Sequence, residues 1–367
     1  MTGSYSNFVD VLTCLHRDPH RLTVMRLADL TTMGVGGAPD VLRTCIATNE
    51  LIERVRKLDD ARENVLILGG GSNIVMGDEP FRGTVLQVAT RGIEIDAGEK
   101  VVRLTVAAGE PWDELVELCV VNGWSGIEAL SGIPGLVGAT PIQNVGAYGQ
   151  EISQVIESVR VLDRATGSIE VFDNDECMFE YRSSIFKREP NRRLIVAVGM
   201  ALQIDSQCVV RYADLASYLG IDVGGSATPV DVRSAVMALR AAKGMVLDVH
   251  DEDSRSAGSF FTNPIVSEEI ASGIPAACPR YPSAAGVNLS AAWLIENAGV
   301  TKGWRLTEDA RARVSKKHTL AIVANGGATA GEVIELADRI QQLVFTKYAI
   351  TLEPEPTLVN CALAGTS

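Results

Sequence analysis

Residues 64–73 read NVLILGGGSN, and residues 132–149 read GIPGLVGATPIQNVGAYG. The first stretch is a short apolar run that ends in glycines, the pattern of a buried strand emptying into a loop. Consecutive Gly69, Gly70 and Gly71 let backbone N–H groups converge on a phosphate, and Ser72 and Asn73 add side-chain donors. A Rossmann turn would need GxGxxG leading directly into a helix, and Gly77 and Pro80 follow too soon for one. Taken alone, the loop is equally well read as a simple tight turn. In the second stretch Pro134 can open a short helical turn whose N–H groups face an anion. Its five glycines imply a rigid ligand pressed against the main chain, since a connecting loop needs fewer.

The chain has 367 residues, enough for two or three domains. Residues 1–20 are expected to be a loosely held extension. Residues 21–95 alternate helix and strand, with strands expected at 64–69 and 84–89. From Arg91 the pattern turns antiparallel: 92–96 and 101–106 flank an Asp96-Ala97-Gly98 turn, and 159–163 and 168–172 flank another. Helices are expected over 111–121, which Asn122-Gly123 ends, and over 229–242, with Thr228 as N-cap and Pro229 in the first turn. A strand is expected at 194–204. Residues 96–240 therefore form an α+β region. Beyond it, 241–350 reads as a third region with helices over 290–298 and 331–347 and a strand over 318–325. Thr329 and Glu332 have capping-box spacing. Residues 351–367 are left as a C-terminal tail.

Composition narrows the class. Hydrophobic residues make up 46% and charged residues 22%, ordinary values for a globular protein. A net charge of -13 repels phosphate backbones, so a nucleic-acid partner is not expected. No apolar run has membrane-spanning length, and residues 1–20 lack a basic segment and an apolar core, so a cytoplasmic protein is expected. The seven cysteines show no CxxC spacing and read as free, mostly buried thiols. The four histidines form neither HxH nor HExxH. His250-Asp251-Glu252-Asp253 resembles a metal cluster but reads better as a solvated loop; no metal is expected.

The two loops together resemble the FAD-binding domain of the vanillyl-alcohol-oxidase type. The remaining motifs make the chain similar to the UDP-N-acetylenolpyruvoylglucosamine reductase family over about residues 27–357. They are GGGSN at 69–73, the 132–149 stretch, YRSSIFK at 181–187, AGSFFTNP at 257–264, AAWLIENAG at 291–299 and LEPE at 352–355. The resemblance implies a two-part FAD-binding domain (21–95 and 96–240) and a separate α/β substrate-binding domain (241–350), with the segment carrying Glu355 following. It implies non-covalent FAD, since neither loop holds His or Cys, and NADPH as hydride donor. The implied substrate is the enolpyruvyl ether of UDP-N-acetylglucosamine, reduced by a monomeric enzyme of cell-wall precursor synthesis. Its cofactor contacts would be Gly69, Gly70, Gly71, Ser72, Asn73, Ile133, Pro134, Gly135, Gly138, Ala139, Gln143, Asn144, Gly146, Ala147 and Tyr148.

Reducing an enolpyruvyl double bond needs a cation at the carboxylate, a means of spreading enolate charge, and an acid at C2. By resemblance Arg182 binds the carboxylate, Ser259 gives the proton, and Glu355 is the active-site glutamate, protonated beside a substrate carboxylate. Without the motifs, Arg182 would read as a surface ion pair, Ser259 as a turn serine and Glu355 as part of a solvated tail. The tail continues Glu353-Pro354-Glu355-Pro356, where family members often carry an apolar residue after the last Glu. Tyr181, Tyr212, Lys243 and Asn263 match substrate-binding positions. His318 and Thr319 both fall at a polar nucleotide contact, and the sequence does not choose between them. Two rivals stay open: another flavin oxidase or dehydrogenase of the same fold, and a nucleotide-sugar-binding protein without turnover.

Overall fold

The computed structural model describes residues 25–204, 207–281, 283 and 285–366. The expected extension at 1–20 lies outside them. The chain begins with β1 (Pro39–Cys45), α1 (Thr48–Asp60), β2 (Val65–Leu68), β3 (Ile74–Met76) and β4 (Phe81–Val88). Strands β1, β4 and β2 lie side by side in that order and run parallel. Parallel neighbours need a crossover, and α1 supplies it. Its Leu51 and Val55 pack with Val65, Leu86 and Val88 of the sheet. The strand before the first glycine loop, at the edge of this sheet, is therefore held by its pairing with β4 and by the packing of α1.

At Ile93 the chain turns antiparallel, as its hairpin patterns require. Strands β5 (Ile93–Ala97), β6 (Val101–Ala107), β7 (Ile156–Asp163), β8 (Ile169–Asp173) and β9 (Arg193–Ile204) form a sheet of order β8-β7-β9-β6-β5. Alternate residues of β9 (Val196, Val198, Met200, Leu202) face inward and share a core with α2 (Trp112–Val121). Pro111 is the N-cap of α2, so the helix begins one residue later than the sequence led us to expect. The second glycine loop runs between α2 and β7. Helices α3 (Ala213–Leu219) and α4 (Pro229–Ala242) then pack on each other through Leu215, Ala216, Val232, Ala235 and Val236. The Thr228 side chain caps α4 by accepting from Asp231 N–H.

The last region contains β10 (Ser256–Ser259), α5 (Ala291–Asn297), β11 (Ala312–Val314), β12 (Ala321–Ala324), α6 (Ala330–Tyr348) and β13 (Thr357–Val359). Antiparallel β10-β12-β11 lies under α6, whose Val333, Leu336, Ala337, Ile340 and Val344 are buried. Thr329 and Glu332 form the capping box that their spacing suggests. Three expectations change here. The strand expected from 318 begins at Ala321, and His318 lies in the turn before it. The loop at 250–253 is solvated only in part: His250 and Glu252 are exposed, but Asp253 and the following Ser254 are buried, Asp253 meets Arg313 at 2.6 Å, and Asp251 meets Lys317 at 2.8 Å. Residues 351–366 do not trail away. Strand β13 pairs in parallel with β3, and Leu352 and Leu363 are fully buried.

That return ties the C-terminal segment to the first subdomain. Met33, Val35 and Val75 join the C-terminal core. Asp78 accepts hydrogen bonds from Ala330 and Gly331 N–H, each at 2.9 Å, at the N-terminus of α6. Among the described residues no helix is long and apolar enough to cross a membrane. Cys45, Cys119, Cys177, Cys278 and Cys361 are free thiols, and the first four are buried.

Candidate active site

The two glycine loops meet. A Cβ placed on Gly70 would stand 2.9 Å from Gly135 Cα, and Ser72 Oγ donates to the Pro134 carbonyl at 3.1 Å. Gly71 has φ +63, and a Cβ there would overlap the Leu30 carbonyl. These glycines are demanded by chain packed on chain, whereas the sequence suggested a ligand as the cause. Gly69 differs, since a Cβ there would come no nearer than 3.7 Å to Leu136 Cδ1. What the packing creates is a ledge of donors. Among the described residues, the N–H groups of Gly70, Gly71 and Ser72 on one loop, and of Ile133, Gly135 and Leu136 on the other, donate to no acceptor of the chain. Free backbone N–H groups that converge in this way form an anion-binding concavity. The residues present thus fit the diphosphate of a bound dinucleotide.

The rest of the second stretch divides by role. Asn144 is buried with φ +45; its Nδ2 donates to Glu151 Oε2 at 2.8 Å and to the Glu180 carbonyl at 3.1 Å, and its Oδ1 accepts from Ser153 N–H at 3.1 Å. That side chain holds the loop together and is not free for a ligand. Gln143 instead links the two glycine loops to the C-terminal segment. Its Oε1 accepts from Asn73 Nδ2 at 2.9 Å, and its Nε2 lies 3.4 Å from Glu355 Oε1.

Arg182 and Glu355 come together at this junction, with Nε 3.4 Å from Oε1. Each is held from more than one side. Arg182 has φ +52, donates from Nη2 to the Gly146 carbonyl at 2.7 Å, and its own carbonyl accepts from Lys187 Nζ at 3.1 Å. Glu355 sits just before β13, and its N–H donates to the Phe260 carbonyl at 2.8 Å. Burial raises its carboxyl above the ordinary range, while Arg182 and Lys187 pull the other way. Burial also lowers the Lys187 ammonium. The carboxyl is thus biased toward its protonated form by the protein alone, before any substrate charge is added.

Ser259 ends β10 one residue before Phe260, so the Phe260–Glu355 bond ties it to the same junction. Phe260 and Phe261 are buried beneath it. A Cβ on Gly258 would meet nothing within 4 Å, which leaves open space beside the serine. Among the described residues the Ser259 hydroxyl has no hydrogen-bond partner.

The expected substrate contacts form a second group. Tyr148 and Tyr212 meet edge to face at 5.5 Å, and Lys243 Nζ lies 5.7 Å from the Tyr148 ring centroid. Tyr181 carries the Arg182 guanidinium 5.3 Å from its ring centroid. Asn263 Oδ1 accepts from Ala291 N–H at 2.9 Å, fixing the start of α5. His318 and Thr319 differ in their surroundings. Thr319 is buried and its hydroxyl donates to Glu296. His318 is only partly buried and lies within the field of Lys243 and Lys302; burial first, then these two cations, depress its pKa to about 4. Sequence reasoning missed Lys187 and the linking role of Gln143, because neither burial nor long-range pairing shows in local pattern. Among the described residues no group of three or more His, Cys, Asp or Glu could hold a metal.

A parallel subdomain and an antiparallel subdomain joined by a glycine ledge, with a separate domain covering it, define a flavin-binding oxidoreductase. Residues 39–173 match the family described as FAD binding domain, and residues 250–359 match UDP-N-acetylenolpyruvoylglucosamine reductase, C-terminal domain. The chain is 46% identical over 340 residues to the UDP-N-acetylenolpyruvoylglucosamine reductase of Cutibacterium acnes, covering 92% of this chain and 90% of that one. It is 47% identical over 349 residues to the enzyme of that name from Nocardia farcinica, with coverage of 92% and 90%. The crystal structure of the reductase from Thermus caldophilus superposes with a TM-score of 0.63 at 25% identity, covering 91% of this chain and 97% of that one. The chain belongs to the UDP-N-acetylenolpyruvoylglucosamine reductase family. Its fold is the expected α+β arrangement, a two-part FAD-binding domain with a separate C-terminal domain.

Proposed function

We propose that this chain uses NADPH to reduce the enolpyruvyl ether of UDP-N-acetylglucosamine to UDP-N-acetylmuramate. The observation that carries the reading is the Arg182–Glu355 pair, held by Gln143 where the two glycine loops meet the Ser259 strand. FAD, held on the ledge of residues 69–73 and 132–148, would supply the hydride chemistry by taking a hydride from NADPH and passing it to C3 of the substrate.

The protein's own groups do the rest. Arg182 offers a bidentate fork to the substrate carboxylate, where negative charge develops after hydride addition. Glu355, biased toward its neutral form, can stand next to that charge without repelling it. Ser259 has a free hydroxyl and gives its proton to C2. A serine is a weak acid, so this works only against a strongly basic centre held in contact with it. Tyr181, Tyr212, Lys243 and Asn263, with His318, would hold the sugar nucleotide. A single pocket serving NADPH and substrate in turn accords with the absence of a second dinucleotide fingerprint in the sequence. A monomeric cytoplasmic enzyme with no membrane or nucleic-acid partner belongs to the same reading; the charge of -13 supports its last part.

The test is a flavin spectrum followed anaerobically. Addition of NADPH should bleach it, and the enolpyruvyl substrate should restore it. A spectrum that NADPH leaves unchanged would favour a binding protein without turnover. Colour that stays with acid-precipitated protein would favour a covalent-flavin oxidase.

A further inference from the structure

Arg240, on α4, is 9% exposed, and Arg313 is 4% exposed. Arg313 has Asp253 at 2.6 Å. Among the described residues Arg240 has no acidic partner. Its Nη2 donates to the Met245 carbonyl at 2.8 Å, and its Nε is buried with no acceptor. Arg193 also has an unpaired Nε, but Glu189 lies 2.5 Å from its Nη1. Two groups oppose the loss of the Arg240 charge on burial, Tyr148 and Asp113. Asp113 is already engaged by Arg233 at 2.6 and 2.9 Å and by Gly132 N–H at 2.5 Å. A buried cation without a partner is costly and calls for an external anion.

The surroundings of the orphan donor say where that anion would sit. A Cβ on Gly132 would stand 3.4 Å from Arg240 Nε. Gly132 opens the second glycine loop, and the unpaired N–H groups of Ile133 and Gly135 follow it. Arg240 Nε therefore lies beside the first residue of the donor ledge.

We propose that Arg240 is the countercharge of the FAD site, its Nε–H completed by an oxygen acceptor of bound FAD. This rests on the reading that the two loops carry the cofactor. The acceptor chemistry has two sources in FAD: a diphosphate oxygen or the carbonyl edge of the isoalloxazine ring.

Arg240→Met removes charge and donor at similar length. FAD affinity, read by fluorescence titration of the deflavinated full chain, is expected to fall at least about tenfold, with Arg240→Lys recovering part of it. Deflavinated Arg240→Met should melt at or above the temperature of deflavinated wild type, because the uncompensated cation is gone. A dye-referenced reductive titration separates the sources. An unchanged midpoint potential assigns the diphosphate. A more negative potential assigns the ring, by about 29.6 mV per tenfold loss of preference for the reduced form. Arg240→Gln keeps an amide donor for Met245 and provides a second uncharged variant. FAD affinity within twofold of wild type at unchanged potential overturns the proposal. So does failure of both uncharged variants to fold, since the proposal makes Arg240 a burden in the deflavinated chain. Gly69→Leu, whose Cβ would meet only Leu136 Cδ1, at 3.7 Å, while the larger side chain crowds the ledge, tests the underlying reading separately. If it retains FAD, the ledge is misplaced; if it loses FAD while Arg240→Met does not, only the Arg240 role fails.

Discussion

A serine hydroxyl without a partner, beside a glycine that leaves space, is an unusual arrangement in a sheet whose other polar groups are engaged. Ser259→Ala should leave flavin bleaching by NADPH nearly intact and slow re-oxidation by the enolpyruvyl substrate by roughly 10²–10⁴-fold, the scale of a lost general acid. Stopped-flow traces of the two half-reactions check this, and equal slowing of both would remove Ser259 from proton donation. His318 makes a different prediction. Burial and the cations Lys243 and Lys302 outweigh Glu296 and hold its folded-state pKa near 4, below the ordinary value of 6.5. Its neutral form is favoured in the fold. Its contribution to stability is complete above about pH 6.5 and is lost as pH falls toward 4, on the order of 3 kcal/mol before solvent screening. His318→Gln should flatten that acid limb in urea melts between pH 7 and 4. An unchanged slope would show that the imidazole is solvated. The residue scale is also where the sequence was least legible. Arg182, Ser259 and Glu355 are ordinary residue types in ordinary local patterns, and resemblance alone singled them out.

At the scale of the element, legibility follows locality. Helices α4 and α6 were readable because Thr228 and Thr329 with Glu332 cap them within four residues. The β5–β6 and β7–β8 hairpins were readable because their turns lie between their own strands. The turn at 250–254 was misread because its partners are about sixty residues away. Asp253 accepts from Arg313 Nη1 at 2.6 Å and from Lys316 N–H at 2.9 Å, so it fastens the start of β10 to the end of β11. Both charges are buried, and removing Asp253 leaves Arg313 only the exposed Glu252, at 3.8 Å. Asp253→Ala is expected to destabilise the chain by roughly 3–5 kcal/mol in urea unfolding. A loss below about 1 kcal/mol would mean that water reaches the pair.

For the whole molecule, the decisive contact joins the two ends of the sequence. The glycine ledge is built near residues 70 and 135, yet Glu355 reaches it only because β13 pairs with β3 immediately after the first loop. Thr357 N–H donates to the Asn73 carbonyl at 3.0 Å, and Asn73 Nδ2 approaches the Glu355 carbonyl at 3.4 Å. No local pattern announces a partner more than 280 residues away, so the segment read as a tail. The loss of long-range register, together with the buried Leu363, makes the consequence of its removal specific. A chain ended after Pro356 keeps Glu355 but loses β13. It should release FAD on gel filtration and melt at a lower temperature, while far-ultraviolet circular dichroism retains the signal of α6 and the β5–β9 sheet. Retention of flavin with unchanged NADPH bleaching would show that Pro354 and Glu355 are held by the Phe260–Phe261 contacts alone. The β3–β13 ladder would then serve stability without positioning the glutamate.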